Sequence, residues 1–223
     1  MTMMTIHAWP AAVSPRVPEP MLARYPAASQ PPQPHTAAEL DWLIQMLRAS
    51  RAETIAIGHG RHTASAGAAD ALAAAWTAGA GQVLAVVDWP AEAASWLRPA
   101  QRLAGSRPDA WILADTPAGC AQLVGRLTGQ PGWTPGRTFG FASVATPDLL
   151  ALTPPGALAG MTGATAAGGS WRMGKASCWS TMTSKGRHHN YVQPGRDDAS
   201  GRLGGRGGAV GREVPAFTVP ERW

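Results

Sequence analysis

The sequence predicts an α/β domain of three layers, with a mostly parallel sheet of four or five strands between helices. Two observations carry that prediction. Four short apolar runs recur along the chain: Thr54-Ile-Ala-Ile57, Val83-Leu-Ala-Val-Val87, Ala110-Trp-Ile-Leu-Ala114 and Thr138-Phe-Gly-Phe-Ala142. Strands buried on both faces read as continuous apolar runs rather than alternating ones. The spacers between the runs have helical periodicity, and strands alternating with helices form parallel βαβ units. In open sheets of this kind ligands sit beyond the carboxyl ends of the strands, so the same repeat marks the functional edge.

Each element has its own justification. Residues 1–35 carry eight prolines, which forbids helix and central strand and leaves an extended lead-in, resting on the domain through Trp9 or Tyr25. Thr36 with Glu39 makes a capping box, and Leu40, Leu43, Ile44 and Leu47 form one apolar face, so a helix is expected over 37–49. Strand one, 54–57, ends in a polar turn, Gly58-His59-Gly60-Arg61-His62-Thr63. An Ala-rich helix over 65–78 follows, stopped by Gly79 and Gly81. Strand two, 83–87, ends at Asp88-Trp89-Pro90. The next helix, 91–104, contains Pro99 and is expected to kink or break there. Strand three, 110–114, leads to Thr116-Pro117, an N-cap followed by Pro at N1, and a helix to 128. Strand four, 138–141, precedes a second capped start, Thr146-Pro147, and a short helix, 149–152. Residues 156–171 read as a loop with one more strand near Met161.

The domain is expected to span 36–171. From Arg172 the pattern stops, and 172–223 reads as a Gly/Arg-rich disordered tail. Its segment 201–212 lacks the apolar surface to offset the entropy of ordering. A frameshifted or remodelled end would also explain the change in composition. The whole net charge of +5 lies beyond residue 170: before it ten arginines balance ten acids. Without aromatic interleaving or a basic helix, this is no nucleic-acid signature. Cys120 and Cys178 fit no metal or redox spacing, and Cys120 reads as a small buried hydrophobe. No apolar run approaches the roughly eighteen residues that span a bilayer. Met1 to Pro20 shows no secretory signal, which places the chain as written in the cytoplasm, or outside it if the true N-terminus is missing.

The order and wording of several segments resemble the type 1 solute-binding proteins of ABC transporters, closest to the branched-chain amino-acid binders. They are Glu53-Thr-Ile-Ala-Ile-Gly58, Ala69-Asp-Ala-Leu-Ala-Ala-Ala-Trp76, Gly81-Gln-Val-Leu-Ala-Val-Val87, Arg107-Pro-Asp-Ala-Trp-Ile-Leu113, Thr138-Phe-Gly-Phe-Ala142, Thr146-Pro-Asp-Leu-Leu-Ala-Leu152 and Gly156-Ala-Leu-Ala-Gly160. The resemblance covers 36–165 and matches the C-terminal lobe of that family, a periplasmic-binding-protein-like I lobe. It implies non-catalytic binding of a small polar solute, such as an amino acid, by a partial version of such a protein. Its partner would be a missing lobe or a separate chain. No cofactor or metal is expected.

The candidate ligand-binding residues are His59, Arg61, His62, Asp88, Asp115, Thr116 and Ser143, all at strand ends. A Gly-rich turn before a helix offers N–H groups to an anion, and Arg61 can clamp a carboxylate. The plain alternative is an ordinary turn with two solvated histidines. Gly58, Gly60 and Gly67 do not make a dinucleotide fingerprint. Asp115 can accept a ligand ammonium, or Asp115 and Thr116 can simply cap the next helix. Ser143 can hydrogen-bond a ligand, and Trp89 can stack on one or cover a helix end. His188-His189 has no further metal ligands beside it. No catalytic constellation emerges. The other readings are a flavodoxin-like or Rossmann-like enzyme or regulatory domain using the same edge, and a truncated product without independent activity.

Overall fold

The computed structural model describes residues 31–93, 95–175, 177–181 and 189–192. The prolines before residue 31, with Trp9 and Tyr25, lie outside the described residues, as do His188 and the segment 201–212. Helix α1 is Ala37–Ala49, strand β1 Thr54–Gly60, α2 Thr63–Ala78, β2 Gln82–Trp89, α3 Leu97–Gly105, β3 Ala110–Ala114 and α4 Pro117–Leu127. Then come β4 Thr138–Gly140, α5 Pro147–Leu152, β5 Thr162–Ala164, β6 Ser170–Met173, β7 Ser177–Thr181 and β8 His189–Val192.

The sheet order is β2-β1-β3-β4-β5-β6-β7-β8. The first five strands pair in parallel and the last three antiparallel. Eight strands replace the four or five expected, and the sheet does not stop at Trp171. Ser170–Met173 pairs with β5 and with β7, so the boundary drawn at 171/172 cuts through a strand. The sequence hides these strands because they are short and polar, in contrast to the apolar runs of β1 to β4.

Alternation along the strands builds the layers. Ile55, Ile57, Ala110, Ile112, Ala114, Phe139 and Phe141 pack with Leu43 and Leu47 of α1 and with Ala68, Ala69, Leu72 and Trp76 of α2. On the other face Ala56, Val87, Trp89, Trp111 and Leu113 meet Leu103 of α3 and Cys120, Leu123, Val124 and Leu127 of α4. Cys120 is fully buried there, and burial pushes its thiol far above the ordinary range, which makes it inert packing. Burying a large apolar side chain contributes about 1.5–3 kcal/mol, so these two clusters hold the strand ends in place.

Three local expectations change. Strand β1 runs on to Gly60, so Gly58-His59-Gly60 is strand and not turn. Gly58 keeps its place because a Cβ there would come within 2.7 Å of the Trp89 ring and 2.8 Å of Leu103. Trp89 belongs to β2 and is fully buried, so it stacks on no ligand. Helix α3 begins at Leu97 rather than 91, with Pro99 in its first turn. There its missing N–H would have had no helical partner, and the helix runs on to Gly105.

Candidate functional site

A cleft of about 530 Å³ opens at the carboxyl ends of β3 and β4, on the face covered by α1 and α2. Its apolar wall is Ala64, Ala68, Ala114, Pro117 and Phe141. Polar groups come from Ser65 in the first turn of α2, Thr116 ahead of α4, Ser143 after β4, and Thr146 and Asp148 at the start of α5. Glu39 of α1 and the segment Pro32–His35 complete it. The His35 ring stands edge-on to Phe141, with centroids 6.1 Å apart at 68°.

Several of these side chains are already occupied. Thr36 and Glu39 form the expected capping box of α1. The Glu39 carboxylate, only 3% exposed, also accepts from the Ala142 N–H, which ties α1 to the end of β4. Thr116 Oγ1 accepts from Gly119 N at 3.2 Å and Thr146 Oγ1 from Leu149 N at 3.3 Å, so both act as helix caps. Ser65 differs. It is 2% exposed, it lines the cleft, and its hydroxyl has no hydrogen-bond partner.

Of the seven residues singled out in the sequence, the cleft gathers Thr116 and Ser143. The other five do not line it. Arg61 Nε donates to Asp88 Oδ2 at 2.6 Å in an exposed ion pair, which holds the Asp88 carboxyl below the usual carboxylate range. His59 Nδ1 lies 2.9 Å from Gly60 O, and His62 precedes α2 without a side-chain capping bond. Asp115 is 2% exposed and faces the opposite side of the sheet. Its Oδ2 accepts from Trp89 Nε1 at 2.6 Å and its Oδ1 from Thr116 N at 2.7 Å. A Cβ at Gly60 or Gly119 would overlap this carboxylate, so chain atoms enclose it. Burial pushes the Asp115 carboxyl above its ordinary range, and the bonds from Thr116 and Trp89 only partly oppose this.

The strand register accounts for Asp115. Trp111 and Leu113 face α3 and α4, and the alternation carries Asp115 to that face while Ala114 turns to the cleft. Two further residues of the cleft are absent from the candidate set: Ser65, and Glu39, which the sequence marks only as half of the capping box. Ser65 heads the buried stripe Ser65, Ala68, Ala69, Leu72, Trp76, at i, i+3, i+4, i+7 and i+11, where a polar residue is the anomaly. Among the described residues no cluster of His, Cys, Asp and Glu could hold a metal ion, and no helix is long and apolar enough to cross a membrane.

No family model matches the chain, and no curated protein matches it in sequence. Solved structures do. A substrate-binding periplasmic protein from Ralstonia solanacearum aligns with a TM-score of 0.52 at 18% identity, over 58% of this chain and 36% of that one. A protein assigned as a branched-chain amino acid ABC transporter from Rhodospirillum rubrum gives 0.50 at 16% identity, over 57% and 36%. An extracellular ligand-binding receptor from Rhodopseudomonas palustris HaA2 gives 0.50 at 15% identity, over 59% and 36%. The fold is periplasmic-binding-protein-like. The matched part of the chain spans about 36% of the length of these proteins. In such an open α/β sheet the cleft occupies the expected crevice, beyond the carboxyl ends of the strands.

Proposed function

We propose that the chain binds a small polar solute, an amino acid with a short apolar side chain, in the cleft at the ends of β3 and β4, and performs no chemistry on it. The carrying observation is the cleft itself, with apolar walls, a few convergent hydroxyls and two carboxylates at the functional edge of the sheet. Its volume lies within the roughly 300–1,000 Å³ of small-molecule sites. Ala64, Ala68, Ala114 and Phe141 suit an aliphatic group, and Glu39 and Asp148 suit an ammonium. The likeness to the Rhodospirillum rubrum protein, assigned to branched-chain amino acid transport, supports the same reading.

A thermal-shift screen of the full chain against amino acids, nucleotides and flavins tests it. A ligand at 100 times its Kd stabilises by about 2.7 kcal/mol, so millimolar concentrations reveal even weak binding. The expected result is a raised Tm with aliphatic amino acids. A shift with a nucleotide or flavin and none with amino acids would overturn the proposal, and a flat screen would favour a product without independent activity.

A further inference from the structure

We propose that the first turn of α2, with the Ser65 hydroxyl, is the subsite for the carboxylate of the solute, and that the site therefore selects zwitterionic over purely cationic ligands. This rests on the solute-binding reading above. Helix α2 is 16 residues long, starts beside the cleft, and receives no capping bond from the His62 side chain. The first N–H groups of a helix have no partner within it, and they carry the positive end of the helix dipole. Ala64 and Ser65 of this turn both line the cleft.

The second observation is independent of the helix end. The Ser65 hydroxyl is buried in the wall of the cleft with no acceptor or donor to meet it. A buried hydroxyl in that state is destabilising, and a ligand oxygen removes the cost. The other described buried side-chain atoms without partners are the indole nitrogens of Trp42, Trp76 and Trp133, none of which lines this cleft.

Charge decides the class of oxyanion. Among the described residues no lysine or arginine lines the cleft, and Glu39 and Asp148 stand on its other walls. A dianion such as phosphate meets that field without a compensating cation. A carboxylate carries one charge, which the helix end can take, and the ammonium of the same molecule faces the acids.

Four probes test this by calorimetric titration of the wild type and of Ser65→Ala: L-valine, isobutylamine (valine without its carboxylate), isovalerate (valine without its amine) and inorganic phosphate. Valine is expected to bind the wild type best. A hydrogen bond to a charged group implies that Ser65→Ala weakens valine about tenfold and leaves isobutylamine unchanged. Removing an unbonded hydroxyl should not impair folding, and circular dichroism of the variant checks this. An unchanged valine affinity in Ser65→Ala, or an equal loss for valine and isobutylamine, overturns the subsite while leaving solute binding intact. Phosphate binding tighter than isovalerate overturns the carboxylate class. No binding of any probe to the wild type overturns both this subsite and the reading beneath it.

Discussion

The two halves of the functional edge treat their polar residues in opposite ways. Where β1 and β2 end, Arg61 pairs with Asp88, and the Trp89 indole donates to Asp115, which follows β3 on the far face of the sheet. Where β3 and β4 end, the cleft collects Ser65, Thr116 and Ser143, and the buried Ser65 hydroxyl is unmet. The first half has the richer cluster of charged residues, and the chain uses them on itself. Density of polar residues at a strand end therefore says little about ligands. Polar groups left without partners, in a place a ligand can reach, say more.

The largest effect that sharpens this contrast is expected at Asp115. Asp115→Ala leaves the Trp89 indole and the Thr116 N–H without an acceptor in a buried place. Urea unfolding should show a loss of about 2–3 kcal/mol; a loss below about 0.5 kcal/mol, typical of inert surface positions, would deny its structural role. Its titration gives a second test. The folded Asp115 carboxyl lies above its unfolded value, so its contribution is fully present at pH below the unfolded value and is lost as pH rises through the folded one. Relative to Asp115→Asn, which does not titrate, the wild type should lose stability as pH rises from about 4. A wild type that gains stability relative to Asp115→Asn as pH rises would contradict the assignment.

At Ser65 the expected sign is reversed. Ser65→Ala removes a buried hydroxyl that lacks a partner and adds helix propensity, so the free protein should gain about 1 kcal/mol. A loss would mean the hydroxyl is bonded within the chain. The smallest effect belongs to Arg61→Ala. Exposed ion pairs contribute about 0–1 kcal/mol, so Tm should barely move and any amino-acid affinity should stay the same. A tenfold loss of affinity in Arg61→Ala would return the site to the β1–β2 half.

The parallel half of the sheet was legible because burial on both faces wrote β1 to β4 as apolar runs, and because Thr36, Thr116 and Thr146 announced the helix starts. The antiparallel strands β6 to β8 carried no such signal. At the site, the edge itself was legible but the sorting of residues along it was less so. Asp115 could have been placed by continuing the alternation of Trp111 and Leu113. That Arg61 would meet Asp88, 27 residues away, depends on the register of β1 against β2, which no local pattern reports. Ser65 was hidden because α2 is rich in alanine almost throughout, so its sequence marks no single buried face.

The central claim is that ligand binding belongs to the β3–β4 half of the edge. Titrating the ¹⁵N-labelled full chain with L-valine and following its amide resonances tests it most directly. Concerted shifts are expected at Ala64, Ser65, Thr116, Ala142 and Ser143, with Arg61 and Asp88 unmoved. Shifts centred on Arg61 and Asp88, or none at millimolar valine, would contradict it.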